Sequence, residues 1–196
     1  METIIGLSMG IGLSAASGFR VFVPLLIMSL GMHLGYISPH ESFRWVGSTP
    51  ALVVLSVATA VEFLGYLIPM VDHALDAMAL PASAVAGTVL TAGAIAELDP
   101  FARYTLAIIA GGGTAAAMRS SLALGRGAST ATTGGLANPV LSVFEFFASI
   151  FVTIFAVLLP VFAVVCLFFV MLIILRWAYR RATRSRYEAS IRFEEE

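Results

Sequence analysis

Charged residues are scarce in this sequence of 196 residues. Only 12% of the residues are Asp, Glu, Lys or Arg, and 59% are hydrophobic. A soluble domain carries about 25% charged residues and about 45–50% apolar ones. The apolar residues are also grouped in runs long enough to cross a bilayer, which takes about 20 residues per helix. The composition therefore excludes an ordinary soluble domain and predicts an integral membrane protein whose main partner is the lipid bilayer.

Lysine is absent, so all 11 basic residues are arginine. Five of them lie close together at the end of the last apolar run or just after it: Arg176, Arg180, Arg181, Arg184 and Arg186. Because the cytoplasmic flanks of membrane helices are enriched in basic residues, we predict that the tail, residues 178–196, is cytoplasmic. The formal net charge of −1 gives no indication of a nucleic-acid partner.

Cysteine occurs once, as Cys166, inside an apolar run. A single cysteine forms no intrachain disulfide and excludes a cysteine metal cluster. The sequence also lacks a phosphate-binding loop, a dinucleotide fingerprint and a zinc-protease helix. No serine lies at motif spacing from a histidine and an acid. We therefore expect no enzymatic activity, no cofactor and no metal site.

The apolar runs predict about six transmembrane helices. The first run, residues 4–35, is too long for one straight span, and Arg20 and Pro24 predict a break or bend within it. The last run, residues 139–177, is nearly twice the length of one span, so we divide it near Pro160. A half-helix followed by one long kinked span is the alternative. The remaining spans are expected at residues 50–69, 81–96 and 101–124.

Two polar stretches are predicted to be connections between spans. The first follows Pro69 and contains Asp72 and Asp76, which would share one face if the stretch were helical. The second, residues 125–138, is rich in Gly, Ser and Thr and contains Arg126, whose charge suits a cytoplasmic position. An ordinary polar loop is the simpler interpretation of this second stretch, and a gate that dips into the membrane is the alternative.

The chain contains a weak internal repeat. Residues 14–20 resemble residues 114–119, and each segment consists of small residues that end in arginine. A helix that begins with proline and carries a Glu-Phe pair then follows, at residues 50–63 and again at residues 139–146. Because an odd number of crossings reverses the chain, three spans per half would place the second copy upside down.

This repeat predicts the fold class and the domain organisation. We expect an all-α polytopic membrane protein with one transmembrane domain, residues 1–177, made of two inverted three-helix repeats. Repeat one would cover about residues 4–97 and repeat two about residues 101–177. Both termini would then lie in the cytoplasm. Inverted repeats with interrupted helices are a recurrent plan of secondary transporters.

Four charged residues inside the apolar runs form the candidate site. Each half supplies one arginine and one glutamate, namely Arg20 with Glu62 and Arg119 with Glu145. A charge at the bilayer centre costs from about 2.5 to more than 10 kcal/mol, so such groups persist when they are paired or face water or a substrate. Two Arg–Glu pairs are the simplest arrangement. Static struts between helices, or snorkelling of the side chains to the interface, are the alternatives.

The sequence resembles a bacterial family of small inner-membrane proteins, domain of unknown function 4126. The resemblance rests on these residues: Ala16 to Arg20 with Pro24, Val61 and Glu62 with Pro69 and Asp72, and Asn138 and Pro139 with Ser142 and Glu145. It implies a multi-pass protein of the bacterial inner membrane and supports Glu62, Asp72 and Glu145 as site residues. It implies no substrate.

Two functions are compatible with these observations. The first is a small transporter or channel for an ion or small polar solute, with Arg20, Glu62, Arg119 and Glu145 lining a site between the repeats. The glutamates would bind a cation or a proton, and the arginines would balance charge or bind an anion. Asp72, Asp76 and Asn138 are secondary candidates. The second function is a non-transporting membrane scaffold or partner subunit. A chain of this size is also expected to form a homo-oligomer.

Overall fold

The fold is built from helices that alternate in direction. A computed structural model describes residues 1–38, 40–169, 172, 173 and 176, and these residues contain no strand. The α-helices are α1 (Glu2–Phe19), α2 (Phe22–His33), α3 (Thr49–Gly65), α4 (Pro69–Ala94), α5 (Pro100–Leu106), α6 (Gly113–Thr133), α7 (Asn138–Leu158) and α8 (Pro160–Phe169). A 3-10 helix covers Glu41–Gly47, and a π-helical segment, Ala107–Gly112, joins α5 to α6. The all-α prediction is confirmed for the described residues.

Side chains at the helix ends explain several of these boundaries. The Ser48 hydroxyl accepts a hydrogen bond of 3.3 Å from the Ala51 amide at the start of α3. The Asp99 carboxylate accepts bonds of 3.1 Å from two amides at the start of α5. At the end of α6, Gly134 has a φ of 64°, a left-handed conformation that glycine adopts without steric strain.

The first apolar run breaks where predicted. Helix α1 ends at Phe19, Arg20 is extended, and α2 begins at Phe22. The two helices do not form one bent span, because α2 folds back along α1. Residues Met9 of α1 and Met32 of α2 line the same cavity near the chain's N-terminus. The run is therefore a helical hairpin with Arg20 at its tip.

Small residues let α1 and α4 pack closely in opposite directions. A methyl group on Gly10 would lie only 2.9 Å from the Cα of Thr91. Further along α1, the Ser17 hydroxyl lies 3.4 Å from the Ser83 carbonyl. Later residues of α1 therefore contact earlier residues of α4, so the two helices are antiparallel.

Helix α6 is also antiparallel to α4, so it runs parallel to α1. The π-helical Gly111 packs against Thr91, and Ala115 packs against Gly87. Gly111 and Gly112 pack closely against α4, whereas a methyl group on Gly113 would meet no atom within 4 Å. If the two repeats were inverted copies, the matched helices α1 and α6 would run antiparallel to each other. The helices that carry the two matched arginine motifs are therefore not related by inversion.

The distribution of polarity is that of a protein surrounded by lipid. On α7, Phe144, Phe147 and Phe151 are exposed, whereas Glu145 and Ser149 are buried. Two helical segments, Ala74–Ala94 and Asn138–Leu158, are long and apolar enough to cross a membrane. A third span arises if the 3-10 helix and α3, bent by 58°, are counted together. These apolar helices indicate a polytopic membrane protein.

Two predicted connections are instead helical. Helix α4 begins at Pro69, so Asp72 and Asp76 lie in its first two turns and share a face. Helix α6 continues to Thr133, so Arg126 lies inside a helix and is buried, and no loop covers residues 125–133.

The division of the last run near Pro160 is confirmed, since α7 ends at Leu158 and α8 begins at Pro160. The predicted tail, residues 178–196, and its arginines lie outside the described residues.

Candidate functional site

Seven buried or half-buried charged side chains meet at one end of the bundle. They come from the end of α1, the end of α3, the start of α4, the middle of α6 and the first half of α7. We call them the charge cluster: Arg20, Glu62, Asp72, Asp76, Arg119, Arg126 and Glu145. Six of the seven are the charged residues that the sequence proposed, and the seventh is Arg126.

Arg126 is the best-connected member of the charge cluster. Its Nε donates to one Glu145 oxygen at 2.9 Å, and its Nη2 donates to the other at 2.5 Å. Its Nη1 donates to Asp72 at 2.5 Å. One guanidinium thus joins α4, α6 and α7, and the two-point contact with a carboxylate fixes its orientation.

Arg119 lies two turns earlier on the same face of α6. Its Nη2 donates to the Asp76 carboxylate and to the Tyr66 hydroxyl. Its Nη1 lies 3.4 Å from the Phe19 carbonyl, at the end of α1. A cation at a helix C-terminus is favourable because the last carbonyls lack intrahelical donors.

The Tyr66 ring lies between three guanidinium groups. The central carbons of Arg20, Arg126 and Arg119 lie 4.0, 4.7 and 5.5 Å from the centre of the ring. All three distances are within the range of cation–π attraction. Tyr66 follows α3 directly and is 2% exposed, so one aromatic side chain separates three like charges.

Glu62 was predicted to pair with an arginine, but its partners are backbone amides. One of its oxygens accepts a hydrogen bond of 2.9 Å from the Val21 amide, and the other accepts one of 3.2 Å from the Phe22 amide. These amides begin α2, so the carboxylate sits at the positive end of a helix. Among the described residues, no arginine nitrogen lies within 4 Å of Glu62.

Arg20 approaches the other predicted glutamate. Its Nη2 lies 3.7 Å from Glu145, and it donates to the Ser142 carbonyl at 2.8 Å and to the Ser142 hydroxyl at 2.5 Å. The prediction of two Arg–Glu pairs is therefore wrong. In the charge cluster, Arg20 pairs with Glu145, Arg119 pairs with Asp76, and Arg126 pairs with Glu145, Asp72 and Asp76.

Asn138 connects the start of α7 to the charge cluster. Its amide nitrogen lies 3.4 Å from Asp72 and 3.2 Å from the Thr130 hydroxyl. Asn138 is buried, as Arg119 and Glu145 are, so these side chains do not snorkel to an interface in this fold. All seven predicted site residues thus lie in or beside the charge cluster.

Sequence reasoning missed Arg126, Tyr66 and the bonding role of Ser142. The spacing of Arg119 and Arg126 was the available signal, because residues seven apart return to one face of a helix. The described residues contain no group of His, Cys, Asp or Glu side chains arranged to hold a metal ion.

The chain matches the family model of a domain of unknown function, DUF4126, over residues 7–181. No curated protein and no solved structure matches it. This match covers most of the 196 residues and includes every member of the charge cluster. The chain therefore belongs to the DUF4126 family.

Proposed function

We propose that this protein is a small transporter or channel for an ion or small polar solute, with the charge cluster as its central site. The observation that carries the proposal is the burial of three arginines and three carboxylates, with the half-buried Asp76 beside them, beneath an apolar outer surface. Charged residues within membrane segments are costly, and where they occur they commonly mark the pathway of an ion or substrate.

The position of the charge cluster supports this role. Arg20 and Glu62 come from the first half of the chain, and Arg126 and Glu145 come from the second half. The cluster therefore lies between the halves, where a small relative movement changes the access to it. Binding sites between halves, built at interrupted helices, are common in secondary transporters.

A row of buried hydroxyl groups continues from the charge cluster into the bundle. Ser142 contacts Arg20, and Ser149, two turns further along α7, bonds to the Ala16 carbonyl at 2.9 Å. Additional buried hydroxyls lie on α1, α4 and α7: Ser14, Ser17, Ser83, Thr91 and Thr153. Hydroxyl groups rotate and both donate and accept hydrogen bonds, so this row offers polar partners to a solute that crosses the interior.

The alternation of the helices supports six crossings between Met1 and Leu158, and both termini lie on one side of the membrane if the apolar segment after Pro160 does not cross it. Helices α1, α2, α3, α4, α5–α6 and α7 run in alternating directions, so Met1 and Leu158 lie at the same end of the bundle. We keep the bacterial inner membrane, the cytoplasmic termini and the homo-oligomer as parts of the proposal. We replace the inverted relation between repeats by this simple alternation, because α1 and α6 are parallel.

The direct test is flux through purified protein in liposomes, measured with a panel of inorganic ions and small polar metabolites. The informative variant is Glu145→Gln, which keeps the side-chain size and removes the charge shared by Arg20 and Arg126. Glu97→Gln is the matched control, since Glu97 is exposed at the opposite end of the bundle. We expect flux in the wild type and the control, and its loss in Glu145→Gln.

Folding must be checked before the loss is interpreted. Ser142→Ala provides a milder variant, because it removes only the hydroxyl near Arg20 and Arg126. Reduced flux in a folded Ser142→Ala protein supports the pathway. If the folded wild type moves no solute in the panel, by current or by tracer uptake, the proposal is wrong and the scaffold interpretation takes its place.

A further inference from the structure

The charge cluster contains hydrogen-bond donors that lack acceptors. Arg20 is 1% exposed, yet its Nε and Nη1 have no acceptor among the residues that the structure describes. A buried charged donor without a partner is expensive, so such donors are usually occupied by an acceptor. The Arg20 guanidinium therefore lacks an anion or another small acceptor.

The carboxylates of the charge cluster are already engaged. Arg126 donates to Asp72 and Glu145, and Arg119 donates to Asp76. A cation entering the cluster would have to displace an arginine from one of these contacts. Arg20, in contrast, has free hydrogen-bond donors, which bind an anion and repel a cation. This favours an anion as the solute.

The fourth carboxylate indicates where an anion is stabilised. Glu62 binds the amides of Val21 and Phe22, the two residues that directly follow Arg20 in the chain. Amides at the start of a helix bind anions readily, and α2 has 12 residues. In this structure the anion held there is a side chain of the protein itself.

We propose that the transported solute is a small monovalent inorganic anion that binds Arg20 and the adjacent amides of Val21 and Phe22, and that the Glu62 carboxylate is a tethered competitor for these amides. This inference rests on the proposed transport function. The guanidinium is enclosed by the Tyr66 ring, Ser142 and Glu145, which limits the proposal to a small ion such as a halide or nitrate.

Uptake of a proton by Glu62 would keep the charge of the cluster constant when the anion enters. Three arginines and four carboxylates carry a formal charge of −1. If Glu62 takes up a proton, the carboxylates carry three negative charges and the cluster is neutral before the anion binds. The bound anion then restores the original charge. Each anion is thus accompanied by one proton on Glu62, and anion flux depends on pH.

The experiment measures chloride, nitrate, potassium and sodium flux from liposomes, across a range of pH. Arg20→Gln is expected to lower anion flux by at least about tenfold, because a charge-assisted hydrogen bond contributes about 1.5–3 kcal/mol. Glu62→Gln should remove the pH dependence of anion flux. Arg44→Gln and Glu41→Gln are matched controls from an exposed pair, and both should behave as the wild type does.

The outcomes separate this inference from the proposed function. Flux of potassium, sodium or a neutral solute without anion flux overturns the anion inference and leaves transport in place. No flux of any solute overturns the proposed function and this inference with it. Anion flux in Glu62→Gln that keeps the wild-type pH dependence refutes the role of Glu62.

A second measurement covers the case in which Arg20→Gln does not fold. The unfolding temperature of the detergent-purified wild type is compared in chloride and in gluconate, at equal ionic strength. A ligand that binds the native state raises its stability, so chloride is expected to raise the unfolding temperature. Glu62→Gln should show a larger rise. An equal unfolding temperature in the two salts, at chloride concentrations that saturate flux, overturns binding.

Discussion

Arg126 and Glu145 form a two-point ion pair between α6 and α7, with nitrogen–oxygen distances of 2.9 and 2.5 Å. The side chains of both residues are only 4% exposed. The same guanidinium also reaches Asp72 on α4, so this pair lies at the centre of a three-helix contact. Its geometry makes it the contact on which the packing of these helices most depends.

Breaking this pair from one side should be strongly destabilising. In Arg126→Met, the carboxylates of Glu145 and Asp72 lose the guanidinium that pairs with both of them, and they remain buried. Removal of one partner of a buried ion pair costs about 3–5 kcal/mol in free energy of unfolding. We expect this loss in denaturant unfolding of the protein in detergent, followed by helical circular dichroism.

The double variant Arg126→Met with Glu145→Met is the internal check. It removes both charges, so we expect it to be less destabilised than the sum of the two single variants by at least about 1 kcal/mol. Arg44→Met, at an exposed pair, should change stability by less than about 1 kcal/mol. Strict additivity of the two single effects would show that the two side chains do not interact in solution.

The sequence predicted which residues form the site better than it predicted their pairing. Charges are rare in apolar runs, so Arg20, Glu62, Arg119 and Glu145 were conspicuous. Their partners depend on the direction and rotation of each helix, which a weak repeat does not determine. Glu62 is an example, because its partners are two backbone amides that carry no signal in the sequence.

Two helix boundaries were misplaced for identifiable reasons. Pro81 was interpreted as a helix start, but it lies inside α4, and membrane helices tolerate interior proline. Residues 125–133 were predicted to be a loop because Gly, Ser and Thr favour turns. In the fold this segment is helical, and the buried contacts of Arg126 with Asp72 and Glu145 stabilise it there.

Close packing at the π-helical segment predicts a sharp contrast between neighbouring glycines. A methyl group on Gly111 would lie 2.6 Å from the Gly87 carbonyl oxygen, a backbone atom that cannot rotate away. Overpacking of this kind costs about 1–3 kcal/mol, so Gly111→Ala should unfold at lower denaturant. Gly113→Ala is the matched control, since its methyl group meets no atom within 4 Å and alanine favours a helix.

The control should be neutral or more stable by up to about 1 kcal/mol in the same unfolding experiment. Equal destabilisation by Gly111→Ala and Gly113→Ala would mean that α4 and the π-helical segment are not in direct contact. The comparison therefore tests the packing of helices on which the position of Arg119 depends.

The direction of α6 predicts that the connection before α5 and the connection after α6 lie on opposite sides of the membrane. The segment α5–α6 begins after Glu97 and ends before Leu136, and both residues are exposed. If this segment crosses the bilayer, the two residues lie on opposite sides. Cys166 is the only cysteine in the sequence, so Cys166→Ser provides a background for labelling. Cysteines introduced as Glu97→Cys and Leu136→Cys should react with a membrane-impermeant maleimide from opposite sides of sealed vesicles.

A tag at Met1 supplies the third point of this map. Because α1 and α4 are antiparallel, Met1 and Glu97 lie at the same end of the bundle and should report the same side. Agreement among the three sites would establish α1, α4 and α5–α6 as true crossings. Labelling of Glu97→Cys and Leu136→Cys from one side would instead mean that α5–α6 does not cross. The arrangement of six crossings would then be wrong, and the proposed transport would lose its structural basis.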